Sequence, residues 1–109
     1  MKLNFMYEIR FSGAKAKKDF KNLLKKCNSN VKRRLEDRLK KSPYLSANYS
    51  DQLSKIEKKQ AYFCYPLSGS NRILYIVIEE AKTVMIFFSG NDDAEQRFLK
   101  FHGKKKVNL

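Results

Sequence analysis

The chain has no tryptophan, one histidine, and only two cysteines and two prolines in 109 residues. A single cysteine pair, Cys27 and Cys64, without a secretion signal provides no disulfide framework. One histidine and two cysteines without C-x-x-C or H-x-x-H spacing give no structural zinc signature, so neither metal nor cofactor is expected. No apolar run approaches the ~18 residues that cross a bilayer. The N-terminal "MKLNFMYEIRF" alternates apolar and polar residues and lacks the apolar core of a signal peptide. Those absences point to the cytoplasm. Internal repeats, a linker and a second domain are not read in the sequence either, which leaves one domain spanning residues 1–109 with a modest core.

Acidic residues are the other scarcity. Eleven stand against 24 lysines and arginines, for a net charge of +13. The imbalance is uneven: residues 1–60 hold 17 basic and 6 acidic residues, residues 61–109 hold 7 and 5. Self-repulsion on this scale costs stability unless a polyanion is the usual neighbour, so nucleic acid or an acidic protein is the expected partner.

Hydrophobic periodicity places the elements. Phe5, Tyr7, Ile9 and Phe11 alternate along a first strand over 4–11. Ser12 is the expected cap of a helix over 14–27, in which Ala16, Phe20, Leu23, Leu24 and Cys27 form one stripe. "NSN" caps a second helix over 31–41, with Val31, Leu35 and Leu39 inward and i,i+4 pairs Arg33–Asp37 and Glu36–Lys40 outward. The short loop implies an antiparallel helical hairpin, and Ser42-Pro43 ends it. Residues 42–59 read as a loop with a short strand near 53–56. Strands follow over 60–67, 72–79 and 83–88; the middle one is continuously apolar, as a strand covered on both faces would be. Gly90 and Asn91 break the pattern, a short helix occupies 92–101, and 103–109 is a mobile basic tail. The fold class is α+β: an N-terminal strand, an antiparallel helical hairpin, a three-stranded antiparallel meander and a C-terminal helix, with the helices on one face of the sheet.

Within that order, Ser68-Gly69-Ser70-Asn71-Arg72-Ile73-Leu74-Tyr75, then Glu79-Glu80, then Val84 to Phe88 resembles the core signature of the RelE/ParE toxin superfamily. The resemblance implies a toxin of a toxin–antitoxin system with a cognate antitoxin as partner. RelE-like members cleave mRNA on the ribosome; ParE-like members inhibit DNA gyrase and are not nucleases. Arg72 matches the arginine that stabilises the scissile phosphate. Other family positions depart: the strand lysines fall near Phe63 and Tyr65, a basic residue falls near Asp92, and a terminal tyrosine is Phe98.

Cleavage by a 2′-hydroxyl needs a base, an acid and a cation on the phosphorane. Arginine suits the last role because its fork makes two charge-assisted bonds and stays charged. Taken alone, Arg72 is a turn arginine covering a sheet edge; with the family pattern it is the phosphate ligand. Tyr62 and Tyr65 lie on opposite strand faces, where either stacks on a base or simply fills a half-buried site. Lys58 and Lys59 read as a solvated turn or as phosphate contacts. His102 is the one imidazole, the side-chain type most used for proton transfer, and some relatives carry a histidine near their C-terminus; taken alone, an exposed tail histidine has no role. The expected catalytic set is thus Arg72, Tyr65, Lys58, Lys59 and His102. Between Lys15 and Lys41 lie 12 basic and 3 acidic residues. Lys15, Lys18, Lys21, Lys25, Lys32, Arg33 and Arg34, with Arg97 from the last helix, are the expected RNA-backbone contacts. The function expected is a metal-independent, ribosome-dependent endoribonuclease. The alternatives are a gyrase inhibitor and a non-catalytic basic RNA- or protein-binding module.

Overall fold

The computed structural model describes residues 6–44 and 61–108. It is α+β, with three helices on a five-stranded mixed sheet. In chain order the elements are β1 (Glu8–Phe11), α1 (Ala14–Lys25), α2 (Ser29–Lys41), β2 (Ala61–Pro66), β3 (Asn71–Ile78), β4 (Thr83–Asn91), α3 (Asp92–His102) and β5 (Lys105–Asn108). The sheet order is β1-β4-β3-β2-β5. β3 pairs antiparallel with both β2 and β4, while β1 joins β4 and β5 joins β2 in parallel. The two parallel edges make the sheet mixed rather than an antiparallel meander beside a lone strand.

The period-two pattern of β1 serves its purpose: Tyr7, Ile9 and Phe11 all pack on the same core as Phe20, Leu23, Leu35 and Leu39. Leu35 and Leu39 are fully buried, each contributing about 1.5–3 kcal/mol of burial. The sheet supplies Phe63, Ile73, Tyr75, Val84 and Ile86 to this layer. The Tyr75 hydroxyl is satisfied inside it, donating to the Pro43 carbonyl at 2.7 Å. Asn28 caps α2 by accepting from the Val31 N–H at 2.9 Å. Ser12 does not cap α1; its N–H continues the β1 ladder onto the Ile86 carbonyl, and Gly13 takes the cap position without a side-chain bond. The expected pairs on α2 also differ: Arg33 donates to Asn30, and Asp37 pairs with Lys41 at 3.7 Å.

Three expectations are corrected. First, the helices do not share one face. Tyr62, Cys64 and Leu74 form a second core, joined by Phe87, Phe88, Phe98 and Leu99, so α3 covers the side opposite α1 and α2. The cause is in the strands: β2 to β4 are apolar on both sides, and a bare second face would expose aromatics to water. A bulge between Leu74 and Tyr75 shifts the partner from Phe88 to Ile86, so both Phe87 and Phe88 join that second core. Second, Gly90 and Asn91 do not end the strand. β4 runs through both, and the Phe88 ring lies where a Gly90 side chain would stand. Asn91 then caps α3, accepting from the Ala94 N–H at 2.8 Å. Third, residues 105–108 are a strand rather than a mobile tail. Gly103, at φ 62°, closes α3 in a left-handed turn, and β5 satisfies the backbone along the outer edge of β2. The strand expected near 53–56 lies outside the described residues.

Candidate nucleic-acid interface

α1 and α2 bury one stripe each in the sheet and turn their remaining surface to solvent. Of the twelve cations between Lys15 and Lys41, two are ion-paired among the described residues: Lys15 with Asp19 at 2.8 Å and Lys41 with Asp37 at 3.7 Å. Lys18, Lys21 and Lys25 on α1 and Arg33 and Arg34 on α2 are exposed, and Lys32 is half-buried. Seven of the eight expected RNA contacts therefore belong to one helix pair. Arg97 is separate: it is exposed on α3, across the sheet.

The edge of this basic surface is concave. Between α2 and the end of β2 lie two hollows that share Arg34 and Tyr65. One, of about 250 Å³, is completed by Val31, Pro66, Leu67 and Ser68. The other, of about 460 Å³, is completed by Asp37, Arg38, Lys41 and Ser42. The Arg38 guanidinium carbon sits over the Tyr65 ring, 5.7 Å from its centroid. Tyr65 is half-buried, its inner side packed on the helix-covered core. A planar aromatic, a planar cation and further positive charge thus meet at one opening.

No family model, curated protein or solved structure matches this chain. The site must be judged on its own geometry.

Arg72 stands elsewhere. It lies opposite Pro66 on one side and Gly90 on the other, at the end of the sheet where β4 passes into α3. Alternation along β3 puts it on the α3 face with Leu74. Its Nη1 donates to the carbonyls of Gly69 at 3.3 Å and Asn71 at 2.8 Å, and no carboxylate pairs with it among the described residues. Those bonds engage both Nη1 hydrogens and leave three of the five guanidinium N–H groups for another acceptor. His102 is exposed at the opposite end of α3, its ring 4.3 Å from that of Phe98 and 5.2 Å from that of Phe101. Ten residues of helix separate Asp92 from His102, about 15 Å at 1.5 Å per residue.

The expected catalytic set is therefore not assembled among the described residues. Tyr65 is on the α1–α2 side, Arg72 and His102 share the α3 side but stand near opposite ends of that helix, and Lys58 and Lys59 lie outside the described residues. Acid–base catalysis on one phosphate needs groups within about 3 Å of the reacting oxygens. Among the family positions, Phe63 is fully buried core, Asp92 opens α3, and Phe98 packs on Phe88 and His102.

Two polar constellations escaped sequence reasoning. Glu95 of α3 is fully buried, accepts from the Cys64 thiol at 3.1 Å, and is paired with Lys106 of β5 at 2.7 Å. Burial pushes the Cys64 thiol up to about 12, with the Glu95 bond and charge adding, while Lys106 and Arg72 oppose. The signal was present: Glu95 sits on the stripe of Phe98, Leu99 and His102. At the other end, Glu79 accepts from the Tyr7 hydroxyl at 2.8 Å and the Tyr44 hydroxyl at 2.8 Å, and pairs with Lys82. The Lys82 bond holds its carboxyl below the ordinary value against the opposing effect of burial, and the two tyrosines assist. This second group ties β1, the end of α2 and the β3–β4 turn together. Among the described residues no group of three or more acidic, cysteine or histidine side chains could hold a metal, and no helix is long and apolar enough to cross a membrane.

Proposed function

We propose that this protein binds RNA through the solvent side of α1 and α2, as a basic module with a RelE/ParE-like arrangement in which the two helices form an antiparallel hairpin. One observation carries the reading: ten of the twelve cations between Lys15 and Lys41 have no ion-pair partner among the described residues. Surface acids would normally be interleaved with such a run. Concentrated on one side of a small domain, these charges release counterions from a phosphate backbone and hold it without reading sequence. If about six phosphates are engaged, log K falls with log salt at a slope near −4 for a single strand. Fluorescence anisotropy of a labelled RNA across a salt series measures that slope. Reversing Lys18, Lys21, Lys25 and Arg33 to glutamate is expected to abolish binding. A salt-independent affinity, or full affinity in that variant, refutes the proposal.

A second reading adds chemistry. Arg72 has three unengaged N–H groups and no carboxylate partner among the described residues, the state a phosphate ligand requires. In a ribosome-dependent mRNA interferase of the RelE type, the ribosome would present the substrate and supply what the sparse site lacks. A cognate antitoxin would then be expected as partner. Induced expression with mapping of transcript 5′ ends tests this: codon-phased cuts that disappear in Arg72→Ala support it, and unchanged cutting in that variant removes Arg72 from the mechanism. Altered DNA supercoiling without cuts would favour the gyrase-inhibitor alternative.

A further inference from the structure

We infer that the hollow beside Tyr65 is a seat for an unpaired nucleobase, which makes the ligand of this surface single-stranded rather than duplex. The inference deepens the RNA-binding reading and rests on it. Positive charge alone does not distinguish single strands from duplexes, because both present phosphates. Three features of the hollow do. It is an open depression of about 460 Å³, in which a base swung out of a strand can lie. Its wall is a layered pair, the half-buried Tyr65 ring with the Arg38 guanidinium 5.7 Å over it, and a base splayed out of a strand can stack on the outer plane of a guanidinium that the ring supports. Its rim carries Arg34 and Lys41, placed to take the phosphates flanking a base.

The remaining lining groups fit the same occupant. Asp37 is the single carboxylate there; Lys41, 3.7 Å away, offsets its charge, and it can accept from the amino or imino edge of a base. Ser42 offers a hydroxyl beside it. In an A-form duplex, base faces are covered by their neighbours and the edges lie in grooves, so nothing can enter a concave seat of this kind. Duplex RNA would meet only the cations on the convex helix surface. The small hollow on the other side of Tyr65, sharing Arg34, continues the track toward the Ser68 turn.

The test compares a fluorescein-labelled single strand with a duplex of equal length, at fixed salt. Tyr65→Leu is expected to weaken the single strand by about 5- to 150-fold, the range that base–aromatic stacking supplies, and to leave duplex affinity unchanged. Tyr65→Phe, which keeps the ring, is expected to bind the single strand as the parent does. Because Tyr65 also touches the core, the unmodified protein provides an independent reading: a single strand carrying iodouracil is expected to photo-crosslink at Tyr65. Equal losses for single strand and duplex in Tyr65→Leu, no loss for either, or crosslinks confined to the lysines of α1 overturn the base seat while RNA binding stands. Failure of the parent to bind either RNA overturns the RNA-binding reading itself, and the base seat with it.

Discussion

Replacing Lys106 with methionine should destabilise the protein far more than neutralising its partner Glu95. Glu95 is fully buried, and its two oxygens are held by Lys106 at 2.7 Å and by the Cys64 thiol at 3.1 Å. Lys106 keeps 31% of its side chain exposed. Removing the lysine strands a carboxylate with one weak donor, and breaking a buried pair this way costs about 3–5 kcal/mol. Water at the exposed lysine end moderates the loss, so about 3 kcal/mol is expected for Lys106→Met. Glu95→Gln instead leaves a neutral amide whose single oxygen accepts from one partner while its NH2 takes the other position, with the Cys64 sulfur only a weak acceptor; no charge is stranded and the lysine can turn to water, so about 1 kcal/mol is expected. Urea unfolding at pH 7, followed by circular dichroism, reads both as shifts in midpoint at constant slope. A 3 kcal/mol loss also lowers Tm by more than about 10 °C in a domain this small. The double variant Glu95→Gln/Lys106→Met should be more stable than Lys106→Met alone, since the stranded charge is gone. If Lys106→Met costs no more than Glu95→Gln, β5 does not hold Lys106 against α3, and the terminal strand is wrongly placed.

Glu79 gives a pH prediction. Its carboxyl is held below the ordinary value, first by Lys82 and then by Tyr7 and Tyr44, so the folded state takes up its proton later than the unfolded chain. Its contribution is complete above the ordinary glutamate range, about pH 4.3, and is lost as pH falls through the lower folded value. Glu79→Gln should flatten that part of the acid limb in a stability-versus-pH series. The Cys64 thiol, buried and raised to about 12, should resist a thiol reagent at pH 8 until urea unfolds the chain, whereas the half-buried Cys27 reacts in the native state. At Gly90 an added methyl would stand 2.9 Å from the Phe88 ring, which Phe98 holds at 5.3 Å, so Gly90→Ala should cost about 1 kcal/mol or more. Pairing it with Phe88→Leu should lessen that penalty.

Much of the fold was legible because local pattern and burial agreed. The stripe of Ala16, Phe20 and Leu23, the buried Leu35 and Leu39, and the two-sided β3 follow directly from periodicity. The last strand was not legible, because what holds it is backbone pairing to β2 and the Lys106–Glu95 pair, neither of which leaves a periodic apolar pattern in the sequence. "KKVN" reads as a solvated tail until Glu95 and the open side of β2 are seen next to it. Gly90 failed as a strand breaker for a comparable reason: the ring that covers it belongs to Phe88, two residues back, and only a bulged sheet turns that ring inward.

The candidate site divides in the same way. Composition and periodicity alone determined that charge would gather on two amphipathic helices, since a stripe spent on the core leaves lysine and arginine only the outward positions. Only the tertiary structure decided which aromatic and which arginine those helices would meet. The two faces of β2 and β3 send Tyr65 toward α2 and Arg72 toward α3, and a sheet one backbone thick keeps them apart. Period-two alternation says that neighbouring side chains part company, but which face lies under the basic helices is settled by the packing of distant residues.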